Sequence, residues 1–75
     1  MQKWEYLYII AQWQESVWRP RWVNDQELPD WKTGPTLPTM MNQLGDEGWE
    51  LVSNSVVNGG GSYWECNIVF KRQKA

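Results

Sequence analysis

Apolar residues alternate with other residues at both ends of this chain and recur at helical spacing between them. Residues 3–14 are rich in Tyr, Leu, Ile and Trp and hold no Gly or Pro, which is strand composition. One face of that strand carries Trp4, Tyr6, Tyr8 and Ile10; the other carries Leu7, Ile9, Ala11 and Trp13. Both faces are apolar, the pattern of a strand covered on both sides. Residues 63–72 alternate more cleanly. Trp64, Cys66, Ile68 and Phe70 point one way, Glu65, Asn67 and Lys71 the other, and the first set is expected in the core.

Leu37, Met40, Met41 and Leu44 fall at i, i+3, i+4 and i+7 and predict one amphipathic helix. Thr36 suits its N-cap, and Pro38 lies in the first turn, where a missing N–H costs nothing. Gly48 is placed to end it in a left-handed conformation, and Gly45 to let its last turn approach a sheet closely. Asp46 and Glu47 oppose the helix dipole by about 0.3–1 kcal/mol each. Burial of each stripe residue, worth about 1.5–3 kcal/mol, outweighs that.

Residues 49–57 read as a strand and 58–62, with three consecutive glycines, as a hairpin loop. Residues 16–24 suggest another strand, but Pro20 cannot donate to a ladder and confines it to an edge or a bulge. Residues 25–35, with Pro29, Gly34 and Pro35, read as a loop. The expected fold is one α+β domain over residues 1–75: two layers, with an antiparallel sheet of three or four strands and one α-helix on one face.

Composition sharpens this picture. A chain of 75 residues buries only about 60% of its unfolded surface and commonly needs a supplement to its core. With one cysteine and no histidine, neither an internal disulfide nor a structural zinc site can supply it. Self-association can. Seven Trp, three Tyr and one Phe exceed what one small core absorbs, and aromatics are enriched at interfaces. A net charge of −2 disfavours a nucleic-acid partner. No apolar run nears the ~20 residues of a membrane span, so no membrane partner is expected. The first residues lack the apolar core of a signal peptide, and a lone cysteine fits a reducing compartment; a cytoplasmic protein is expected.

Three segments carry a family likeness. Lys3-Trp4-Glu5-Tyr6, the run from Leu44 through Gly45-Asp46-Glu47-Gly48-Trp49-Glu50-Leu51 to Val52, and Phe70-Lys71-Arg72 resemble the small bacterial "domain of unknown function 4177" family. The resemblance covers about half of the chain and implies a strand, a helix and a two-stranded hairpin closing a small sheet. It implies no activity. Between Gln12 and Pro35 the connection is longer and richer in Trp than the resemblance implies.

Candidate chemistry is sparse. Cys66 has no histidine to act as its base, and its neighbours Trp64 and Ile68 mark it as a small buried hydrophobe. Asp25, Glu27 and Asp30 share a loop but lack the glycine and terminal Glu of a calcium site. The Gly59-Gly60-Gly61 run precedes a strand rather than a helix, unlike a phosphate cradle. Glu5, Glu50 and Glu65 lie on separate strands, and no two are paired for acid–base work. No catalytic residue, metal or cofactor is expected, and the chain does not read as an enzyme.

The Trp18-Arg19-Pro20-Arg21-Trp22 segment admits three readings. In order of preference they are a protein interface, an edge kept from aggregating, and a surface stacking nucleic-acid bases. Expected interface residues are Trp4, Tyr6, Tyr8 and Trp13 in the first strand and Trp18, Arg19, Arg21 and Trp22 in the second. The partner would be a second copy or another protein, joined through the Trp-rich open face of the sheet or through an edge. The alternative is a ligand-binding module that stacks a nucleobase or a sugar on exposed aromatics.

Overall fold

The computed structural model describes residues 2–58 and 64–74. The chain runs β1 (Trp4–Gln14), β2 (Val17–Val23), β3 (Gln26–Glu27), a 3-10 turn (Trp31–Thr33), α1 (Leu37–Asp46), β4 (Glu50–Asn58) and β5 (Trp64–Gln73). The strands form one sheet in the order β3-β2-β1-β5-β4, with every neighbouring pair antiparallel. The helix packs on one face, so the class is α+β as expected, but the sheet has five strands rather than three or four.

The extra strand follows from two tight turns. Gln14 pairs with Val17 and Val23 with Gln26, so each loop has two residues. Glu15 and Ser16 have φ of 51° and 69°, Asn24 and Asp25 of 50° and 69°. Positive φ at both positions is what a type I′ hairpin turn requires. Asn24 also extends the ladder: its N–H donates to the Tyr8 carbonyl (2.8 Å), and its Oδ1 accepts from the Tyr8 N–H (3.0 Å). Beyond it, Gln26–Glu27 becomes β3 inside the stretch expected to be a loop.

Register decides the faces. Leu7 lies opposite Phe70, Ile9 opposite Ile68 and Ala11 opposite Cys66. Ile9, Ala11, Cys66, Ile68, Phe70 and Leu37 form the buried core, against which Leu7, Met40, Met41, Leu44 and Trp49 pack. The helical stripe is therefore as predicted. Thr36 stands at the N-cap without a capping bond, its hydroxyl donating to Thr39 Oγ1 instead (3.1 Å), and Pro38 lies in the first turn. Gly48 has φ of 90°; its N–H donates to the Gly45 carbonyl, and the Trp49 N–H donates to the Leu44 carbonyl (2.9 Å). Those bonds define a Schellman ending.

Four expectations need correcting. A Cβ on Gly45 would meet nothing within 4 Å, so close approach to the sheet does not explain this glycine. Gly45→Ala should stabilise the domain by about 1 kcal/mol through helix propensity. In a thermal melt this would raise Tm by about 4–8 °C; no rise would mean the last turn is not helical in solution. Trp64, expected in the core, is 43% exposed, because a helix of 10 residues is about 15 Å long and the 11-residue β1 about 36 Å. β1 is not covered on both faces along its length: opposite the helix, Trp4 and Tyr6 (61% exposed) are open, Tyr8 and Ile10 are half-buried and only Gln12 is buried. The segment 25–35 is not all loop, as β3 shows. The hairpin loop expected at 58–62 lies, after Asn58, outside the described residues.

Candidate interaction surfaces

Of the eight expected interface residues, four aromatic ones lie on the open face opposite the helix: Trp4, Tyr6, Tyr8 and Trp22. Trp4 sits beneath the Lys71 ammonium, 4.5 Å from the ring centroid. The Tyr8 hydroxyl donates to Asn67 Oδ1 (3.1 Å), which fixes the ring along the sheet. Trp22, opposite Ile10, extends this face and is half-buried beneath the Arg21 guanidinium at 4.3 Å. No helix or loop among the described residues buries Trp4 or Tyr6.

Trp13 and Trp18 belong to the helix side, where Trp18 packs against the core and Trp13 is 48% exposed. They are cross-strand partners in edge-to-face contact, centroids 5.3 Å apart and planes at 71°. Trp64 joins them to line a cleft of about 250 Å³. Sequence reasoning placed Trp64 in the core and missed this grouping. The signal that could have found it is helix length against strand length.

Arg19 and Arg21 are engaged within the chain. Arg19 Nη1 donates to the Gly34 carbonyl, and Arg19 Nε is buried without a hydrogen-bond partner among the described residues. Arg21 Nε donates to Glu27 Oε2 (2.6 Å) and Nη1 to Gln12 Oε1 (3.0 Å). Its guanidinium also lies 4.9 Å from the Trp31 ring centroid. The Leu28 N–H donates to the Arg21 carbonyl (2.7 Å). Residues 26–34 thereby cover the outer edge of β2, around a proline that offers no N–H.

The three segments of the family likeness meet at one side chain. Arg72 Nε donates to Glu5 Oε1 (2.7 Å), its Nη1 donates to the Glu47 carbonyl (3.1 Å), and its guanidinium stacks 4.2 Å from the Trp49 centroid. The arrangement ties the C-terminal end of α1 to β1 and β5.

Other candidate groups show little chemistry. Burial pushes the Cys66 thiol above its ordinary pKa, which keeps it protonated and a poor nucleophile. Glu5 bonds Arg72, whereas Glu65 pairs with Gln12 and Val57 toward the opposite end of β1, so these carboxylates are apart. Among the described residues no three His, Cys, Asp or Glu side chains gather as a metal site, and no helix is long and apolar enough to cross a membrane.

The architecture defines a small α+β domain with a half-covered five-stranded sheet. The chain matches no family model, no curated protein and no solved structure.

Proposed function

We propose that this chain is a non-catalytic protein-interaction or structural domain, acting in the cytoplasm as a homo-oligomer or as a small subunit of a larger assembly. Contact is made through the open face of the sheet. The observation that carries this reading is the exposed aromatic pair Trp4 and Tyr6, continued on the same face by half-buried Tyr8, Ile10 and Trp22, with no helix among the described residues over Trp4 or Tyr6. Contiguous exposed apolar surface of this kind marks interaction sites, and Trp and Tyr supply most of the energy there. The lone buried thiol suits a reducing compartment. The likeness to the "domain of unknown function 4177" family belongs to the same reading, supported by the meeting of its three segments at Arg72.

Light scattering after gel filtration tests it. The wild type should give a discrete multimer, and Trp4→Ser with Tyr6→Ser should dissociate it. Unchanged assembly in that variant would count against the open face. A monomer whose tryptophan fluorescence shifts on titration with nucleotides or oligosaccharides would favour a second reading. In that reading the cleft of Trp13, Trp18 and Trp64 stacks a nucleobase or sugar ring, an idea supported by its apolar aromatic lining.

A further inference from the structure

The two edges of the sheet are treated differently. The β2 edge is closed by β3, by residues 28–34 and by Arg19 and Arg21. β4, at the other edge, has nine residues, pairs on one side only, and is exposed throughout residues 50–57. It contains no proline and no lysine, and its one charge is Glu50 at the first position. Edge strands normally carry such guards, because an unpaired row of N–H and C=O groups recruits another strand. Four apolar side chains, Leu51, Val52, Val56 and Val57, stand exposed along this one.

The order of residues in β4 names the occupant. Val52-Ser53-Asn54-Ser55-Val56 reads the same in both directions. An antiparallel pair of identical strands related by a two-fold at Asn54 sets Val52 against Val56, Ser53 against Ser55 and Asn54 against itself. Opposed residues share a face, and the register agrees. Asn54 and Val56 lie opposite Ile68 and Cys66 on the helix side, and Ser53 and Ser55 lie opposite Val69 and Asn67 on the open side. Val52 is the unpaired residue of the bulge between Leu51 and Ser53, so regular pairing with β5 covers Ser53 to Val56 of the match and the bulge marks its end. Glu50 falls outside the paired run, so no like charges meet across the axis.

We infer that β4 is a self-recognition edge, at which two copies join their sheets into one continuous ten-stranded sheet, twice the five strands of each copy. The inference rests on the homo-oligomer reading but adds a surface separate from the open face. Apolar and small polar groups meet their own kind across a closed two-fold, which makes the contact isologous and self-limiting.

Cysteine cross-linking reads the register. Residues directly opposed in an antiparallel pair have Cα atoms about 4.5–5.5 Å apart, within the span of a disulfide. Under mild oxidation Asn54→Cys should form a covalent dimer. Ser53→Cys and Ser55→Cys should each cross-link poorly alone and well when mixed. Buried Cys66 gives the wild-type background. Asn54→Lys sets like charges on the axis and should weaken association at least about tenfold by light scattering, with the monomer's melt unchanged. A wild-type monomer would overturn the inference and leave the edge to some other strand. So would an Asn54→Cys protein that cross-links no faster than Gln43→Cys on the exposed helix. Should the multimer survive Asn54→Lys and fall to Trp4→Ser with Tyr6→Ser, the edge is refuted and the open face stands. The opposite result keeps the edge and removes the open face.

Discussion

Ile68→Ala should remove a large part of the stability of this domain. Ile68 has no exposed surface, lies on β5 between Ile9 of β1 and Asn54 of β4, and sits in the cluster with Ala11, Cys66, Phe70 and Leu37. Truncating such a side chain costs about 2–5 kcal/mol, the lost transfer energy plus the cavity it leaves. At 0.05–0.15 kcal/mol per residue, 75 residues provide roughly 4–11 kcal/mol in total. The Tm should fall by at least about 10 °C. Ile68→Val deletes one methyl group and should cost about 0.5–1.5 kcal/mol. Urea titration of both variants gives the comparison. A loss below about 1 kcal/mol for the alanine variant would mean that β5 does not face the helix as described.

That residue was legible in the sequence because β5 is half-covered and its alternation is clean. Cys66, Ile68 and Phe70 were read as core from period two alone, and they are buried. The helix was equally legible: an apolar stripe, a proline in the first turn and a glycine past the end are local signals, each set by backbone chemistry. β3 was not. Gln26–Glu27 has neither apolar residues nor a period, and exists because the Asn24-Asp25 turn brings it back against Trp22 and Val23. The turn at Glu15-Ser16 carries no glycine, so its positive φ values are imposed by the strands it joins.

Side-chain roles that depend on three-dimensional proximity were also hidden. Two arginines between two tryptophans read as a binding motif, yet their partners Gln12, Glu27, Trp31 and Gly34 come from three other parts of the chain. Trp64 is far in sequence from Trp13 and Trp18, and the three meet only through register. The sequence excess of aromatics did point to surface aromatics, since a helix about 15 Å long cannot roof a sheet more than twice that length.

Arg72→Ala is the substitution that should most disturb the placing of that helix. The ion pair with Glu5 contributes little by itself: both side chains are about one-third exposed, and water screens such pairs to about 0–1 kcal/mol. The bond to the Glu47 carbonyl matters more, because it brings a cation to the C-terminal end of α1, where Asp46 and Glu47 already oppose the dipole. Stacking on Trp49 adds about 0.5–1 kcal/mol. A total loss of about 2 kcal/mol is expected, with amide exchange quickened first at Gly48 and Trp49, whose N–H groups close the helix. Glu5→Gln should cost under about 1 kcal/mol and respond weakly to salt, whereas Arg72→Lys should recover less than half of the loss, since a point charge cannot serve the carboxylate, the carbonyl and the indole at once. If Arg72→Ala proves no worse than Glu5→Gln, the contacts to Glu47 and Trp49 carry no energy and something else anchors the helix. If it behaves as expected, one side chain joins β1, α1 and β5 and fixes the C-terminal end of α1 against the sheet.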